Sequence, residues 1–325
     1  MRKLSLTLVY LLSISVLISS CKKSDDDTTP TTITGITDAD CPNDNSTSTT
    51  NTGCSTNPTI TSQYNESVAG NVRTIVSNTY PNHKYSTTST LTPIDRTLTV
   101  DATPAIATST TSVLNEGRPA RYFGVALNGV LIAPAPAEPF IFTNTQTGEF
   151  NWDWVFEPTT NQGSGRDMVA LDCASAHQGP QGYHYHGNMF EYAELLLPGV
   201  SGSTVPTQVV QVGWASDGFP IIYRYGPDAS GNLKLLTPSY RVKEGLRPGD
   251  GVSEPCGSYN GKYTNDYEYV EGLGDLDACN GIARNITLTT VDGTKTFSYF
   301  YVITDSFPQI GRCLSGTPSK DFENR

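Results

Sequence analysis

Three of the chain's four histidines fall within ten residues: His177, His184 and His186, in Ala176-His-Gln-Gly-Pro-Gln-Gly-Tyr-His-Tyr-His-Gly187. Imidazole titrates near neutrality and, when neutral, ligates transition metals. If Tyr183 to His186 is extended, successive side chains alternate faces. His184 and His186 then project the same way, about 6.6–6.8 Å apart along the strand. Gln178-Gly-Pro-Gln-Gly182 reads as a turn that reverses the chain and could return His177 to the same point. Three neutral imidazoles with one position open suit Zn²⁺ or Cu²⁺, whereas Ca²⁺ and Mg²⁺ prefer oxygen. The competing reading is an aromatic strand whose histidines bond nearby carbonyls and tyrosines.

The elements that must position these rings are short and mainly β. The 325 residues include 29 Gly and 21 Pro, which favours many brief strands over long helices, while 17 Tyr and 11 Phe supply core material. Residues 63–325 are expected to form a single sandwich-like β domain with few or short helices. Asn128-Gly129, between two apolar arms running from Arg121 to Ile132, predicts a hairpin with a type I′ turn. Gln208–Trp214, Phe219–Tyr225, Tyr263–Val270 and Phe297–Ile303 also read as strands, and a helical turn is conceivable near Ala170. The net charge of −11 and the lack of a Lys/Arg cluster in the folded part argue against a nucleic-acid partner. No nucleophile elbow, H-E-x-x-H helix, P-loop or dinucleotide fingerprint is present.

The N-terminus reads as an address. Residues 1–20 combine Arg2-Lys3 with an apolar run too short for a comfortable membrane span. Ile18-Ser19-Ser20-Cys21 resembles a bacterial lipobox, which implies lipidation of Cys21 and a membrane partner reached through acyl chains. Residues 21–62, rich in Thr, Ser, Asn and Asp, read as a flexible tether. The expected location is the outer membrane, with the protein facing either the cell surface or the periplasm. Apart from Cys21, six cysteines remain: Cys41, Cys54, Cys173, Cys256, Cys279 and Cys313. In an exported protein they are disulfide candidates, and sequence does not choose among their pairings. Cys41 and Cys54 could close a small loop in the tail, leaving four to staple the domain.

Asp172-Cys173, His177, Gly182 and Tyr183-His184-Tyr185-His186 resemble the signature of the YHYH domain family. Ala126-Leu-Asn-Gly-Val130, Asp217-Gly-Phe-Pro-Ile221, the acidic block Asp266–Gly281 and Arg312-Cys313 are similar to further family segments. So is Pro81-Asn82-His83, which brings His83 into the candidate metal set as a fourth ligand or an acid/base. Asp172 and Asp217 are candidates to orient a ligating imidazole. In the acidic block, Asp266, Glu268, Glu271, Asp275 and Asp277 read as a solvated edge with turn caps. Their spacing does not match an EF-hand.

These features point to a lipid-anchored envelope protein with a histidine-built transition-metal site, open to metal-assisted hydrolysis of an unknown small molecule. The alternative is a non-catalytic surface module whose exposed aromatics bind a glycan or protein.

Overall fold

The computed structural model describes residues 41, 47–48, 54–86, 90–135, 137–142, 149–160, 162–163 and 171–323. The expected signal segment, Cys21, most of the expected tether and Ala170 lie outside the described residues.

In chain order, the elements that build the site are β1 (Tyr64–Ala69), β2 (Val72–Ser77), β3 (Arg96–Asp101), β4 (Gly124–Ala126) and β5 (Leu131–Ile132). They continue with β6 (Ala176–Gly179), β7 (Gly182–Tyr185), α1 (Phe190–Leu196), β8 (Gln211–Ala215) and β9 (Pro220–Tyr223). Last come β10 (Gly281–Ile282), β11 (Ile286–Thr290), β12 (Gly293–Phe297) and β13 (Phe300–Ile303). Eight of them form one sheet in the order β6-β7-β5-β4-β8-β9-β13-β10. Two neighbouring pairs are parallel, β7 with β5 and β9 with β13, and the others are antiparallel.

This sheet is buried on both faces, which is why Pro220–Tyr223 and Phe300–Ile303 are apolar throughout rather than alternating. One face carries Ile132, Tyr183, Tyr185, Ile221, Tyr301 and Ile303, packed with Tyr192 and Ala193 of α1. The other carries Val125, Leu131, Trp214, Ile222, Phe300 and Val302. Against it pack Ile75, Leu98 and Val100 from the sheet β1-β2-β3, and Ile286, Leu288 and Phe297 from the hairpin β11-β12. The chain is therefore mainly β, and its main sheet is sandwiched. Each fully buried side chain of this size contributes roughly 1.5–3 kcal/mol from the area it removes from water.

Several local expectations change. The Asn128-Gly129 hairpin forms, but only Gly129 of the pair has positive φ, 85°. Gly129 N–H donates to Ala126 O at 2.8 Å, so the turn is type I followed by a left-handed glycine rather than type I′. Asn128 is held by its own side chain, whose Oδ1 accepts Val130 N–H while Nδ2 donates to Asn82 Oδ1 and Tyr185 Oη. Tyr263–Val270 is strand only at Tyr267–Tyr269. Thr264–Asp266 is a 3₁₀ turn, because the Asp266 carboxylate gathers the N–H groups of Gly261 and Tyr263 and pairs with buried Arg247. The acidic block is otherwise engaged as well. Glu268 pairs with Arg241 and Asp275 with Lys234, while Asp277 accepts the N–H groups of Cys279 and Gly281.

The cysteines pair as Cys41–Cys256, Cys54–Cys173 and Cys279–Cys313. Cys41 and Cys54 therefore do not close a loop on each other; each bonds to a cysteine of the domain. The last stretch assigned to the tether lies against the fold. Thr56 exchanges two backbone bonds with Tyr85, and Ser62 Oγ donates to Asn128 O. The Cys54–Cys173 bond, with a sequence separation of 119, anchors the segment leading into β6.

Candidate metal centre

The histidine motif folds as a hairpin at the edge of the main sheet. β6 and β7 are joined through Pro180-Gln181, and Gly182 takes φ of 100°, a value that favours glycine. The register sets His177 directly opposite His184. His186 stands just past β7, where its N–H donates to Ser175 O at 2.8 Å and continues the ladder. Alternation along β7 sends Tyr183 and Tyr185 into the core and the two histidines to the other side. The strand stops there: Phe190 and Tyr192 belong to α1, so they do not extend the histidine face.

The three Nε2 atoms converge. His177 lies 3.0 Å from His184 and 3.1 Å from His186, and His184 lies 3.0 Å from His186. Mutual hydrogen bonding cannot satisfy this triangle. The Nδ1 of His184 faces Gly182 O at 3.0 Å, so that nitrogen carries the proton and Nε2 presents a bare lone pair. Protons on the other two Nε2 atoms would face each other and compete for that single lone pair. Buried imidazoles also resist charging. Burial, then the neighbouring His184, pushes the His177 pKa down to about 3. Burial lowers His184, and burial followed by the nearby histidines and the Arg312 guanidinium takes His186 well below its usual range. Neutral rings with convergent lone pairs are the ligating form, and the three can hold one metal ion. An ion with bonds of about 2.0–2.1 Å to nitrogen can cap a triangle of this size.

The packing around the rings keeps that space clear. A side chain at Gly179 would bring its Cβ to 2.7 Å from Cε1 of His184, so glycine leaves room for the ring. The triad opens on a cleft of ≈ 330 Å³ walled by Pro119, Tyr122, Ala133, Ala135 and Pro180, with Arg121, Glu138 and Gln181 supplying polar groups. Burial pushes the Glu138 carboxyl above the usual carboxylate range, against the pull of the Ala137 N–H that it accepts. Sequence reading missed Arg121 and Glu138. They arrive from either side of the β4–β5 hairpin, in segments with no motif of their own.

The remaining candidates do not join the triad. His83 lies on the other side of β7, 2% exposed, with Nδ1 2.6 Å from Lys84 O and Nε2 2.6 Å from Tyr185 Oη. Its ring packs beside Tyr185. It is a core histidine, because the tyrosine that it bonds alternates with the ligating positions. Nor does Asp172 bond a histidine among the described residues. It accepts Tyr183 Oη at 2.6 Å and the N–H groups of Ala174 and Ala176, fixing the turn into β6. Asp217 accepts Tyr301 Oη and Gly316 N–H, and so closes the opposite part of the sheet.

The YHYH protein family model matches residues 97–316, from β3 to just past Cys313. That span includes the Asn128-Gly129 hairpin, the tetrapeptide Tyr183–His186, Asp217 and the acidic block, and it begins after His83. No curated protein and no solved structure matches the chain. The match covers well over half of the sequence and contains every member of the triad, and the chain belongs to the YHYH protein family.

Proposed function

We propose that this protein is lipid-anchored in the cell envelope through Cys21 and holds one zinc or copper ion on His177, His184 and His186. On this reading it performs metal-assisted hydrolysis of a small molecule bound in the adjoining cleft. The carrying observation is the triangle of Nε2 atoms with 3.0–3.1 Å sides, opening on a cavity. Three protein ligands leave a position for water or substrate, the pattern of catalytic rather than structural zinc sites. A bound ion would supply Lewis acidity. Glu138, partly desolvated in the same cleft, would exchange a proton with the substrate through its carboxyl oxygens. The lipobox at Ile18–Cys21 supports the anchor and an outer-membrane location, on either the surface or the periplasmic side.

The alternative of a glycan- or protein-binding surface relied on exposed aromatics. Tyr183, Tyr185, Tyr223, Tyr299 and Tyr301 are in the core, so such a surface would have to use other aromatics.

Elemental analysis of the protein purified without a histidine tag tests the centre. The expected result is about one zinc or copper per chain, lost in a His184→Ala/His186→Ala variant. Absence of both metals, or equal content in the variant, overturns it. The anchor is tested separately, by Cys21→Ser moving the protein out of the detergent phase.

A further inference from the structure

Arg73 pairs with Glu66, Arg224 with Asp305, Arg241 with Glu268, Arg247 with Asp266 and Arg312 with Glu157. Among the described arginines, Arg96, Arg118, Arg121 and Arg284 lack a carboxylate partner. Arg96 bonds Gln181, Arg284 bonds Pro227 O and Arg118 lies over Trp152, whereas the Arg121 side chain has none of these contacts. Arg121 lines the cleft beside the triad, yet its side chain bonds no carboxylate among the described residues, and its Nε is buried without a hydrogen-bond partner, a state it shares with Arg73, Arg96 and Arg312. In a chain of net charge −11 this is not for want of acidic groups. Even Glu138, on the same cleft, makes no ion pair with it among the described residues. A desolvated donor without an acceptor costs free energy, and the guanidinium fork is shaped to receive two oxygens of one planar or tetrahedral anion.

We propose that the cleft binds an oxyanion, a carboxylate or phosphoryl group on a compact apolar body, with Arg121 as its anchor beside the three imidazoles. This assignment of substrate class rests on reading the triad as the reactive centre. The walls fit it: Pro119, Ala133, Ala135 and Tyr122 offer apolar surface for the body, while Arg121 is the cation that meets the charge. Charges farther from the cleft than a Debye length of about 8 Å are largely screened at physiological salt, so the lining residues dominate recognition.

Calorimetric titration of the protein as purified, with its metal content measured, tests this. The probes are benzoate, phenyl phosphate and the neutral benzamide. The expected result is that one anion binds at least tenfold tighter than benzamide. Which anion it is separates carboxylate from phosphoryl recognition. Arg121→Gln is expected to raise its Kd at least tenfold, and Arg121→Lys by less, with metal content and melting temperature unchanged. Equal affinity in Arg121→Gln, or no preference for either anion over benzamide, overturns the proposal. The metal reading fails independently. A chain without metal that still binds an anion through Arg121 would retain the oxyanion site and lose the metal centre.

Discussion

The two sides of β7 use the same residue type to opposite ends. On the core side, His83 has both ring nitrogens within 2.6 Å of oxygen partners, in a network through Tyr185, Asn128 and Asn82. On the cleft side, three imidazoles point their lone pairs at one another, and His186 Nδ1 is buried without a partner. A satisfied buried polar network specifies and rigidifies a core, whereas a convergent unsatisfied one invites a ligand. His83 and His186 are both buried while His177 and His184 are half-buried, and the larger difference is whether the protein itself supplies every hydrogen-bond partner.

The sharpest way to break this contrast is to remove one ligand. His186→Ala should lower metal affinity by more than the ~10–100-fold loss typical of deleting an outer hydrogen-bond partner. Competitive chelator titration reads this, and an unchanged affinity would put His186 outside the centre. On the core side, the effect should appear as acid sensitivity. Burial takes the His83 pKa from its ordinary 6.5 down to about 4, so the unfolded chain accepts a proton that the folded one refuses. Stability is then full above pH 6.5 and falls as pH drops toward 4, by roughly 3 kcal/mol. Denaturant unfolding at both pH values should show wild type losing about that much more than His83→Gln. Tyr185→Phe, which strands the His83 Nε2, should cost ~1–3 kcal/mol and leave metal affinity unchanged. The smallest effect is expected from Gly179→Ala. Its Cβ would press on the His184 ring and lower metal affinity ~10-fold with little change in melting temperature.

The cleft side was largely legible in the sequence because it is local. His177 and His184 meet through a single hairpin, the turn residues announce it, and period-two alternation puts His184 and His186 on one side. The core side was not, because His83 is brought in by chain distant in sequence, and a Pro-Asn-His motif does not reveal which side of β7 it will meet. The same distance hid Arg121 and Glu138. It also hid the disulfides, since Cys41 and Cys54 find partners far along the chain, at separations of 215 and 119 residues. The helix α1 escaped for a different reason. Its seven residues follow Met189 at the N-cap, which makes no side-chain cap, so the usual start signal is missing. Strand content read well wherever both faces of the sheet were covered, as at Phe300–Ile303.

The claim that matters most is that three imidazoles share one ion, and X-ray absorption at the metal edge of the purified protein addresses it directly. The expected coordination shell has three imidazole nitrogens at about 2.0–2.1 Å, reduced to two in His177→Ala. A bound metal whose shell lacks imidazole scattering, or whose spectrum is the same in that variant, would contradict it.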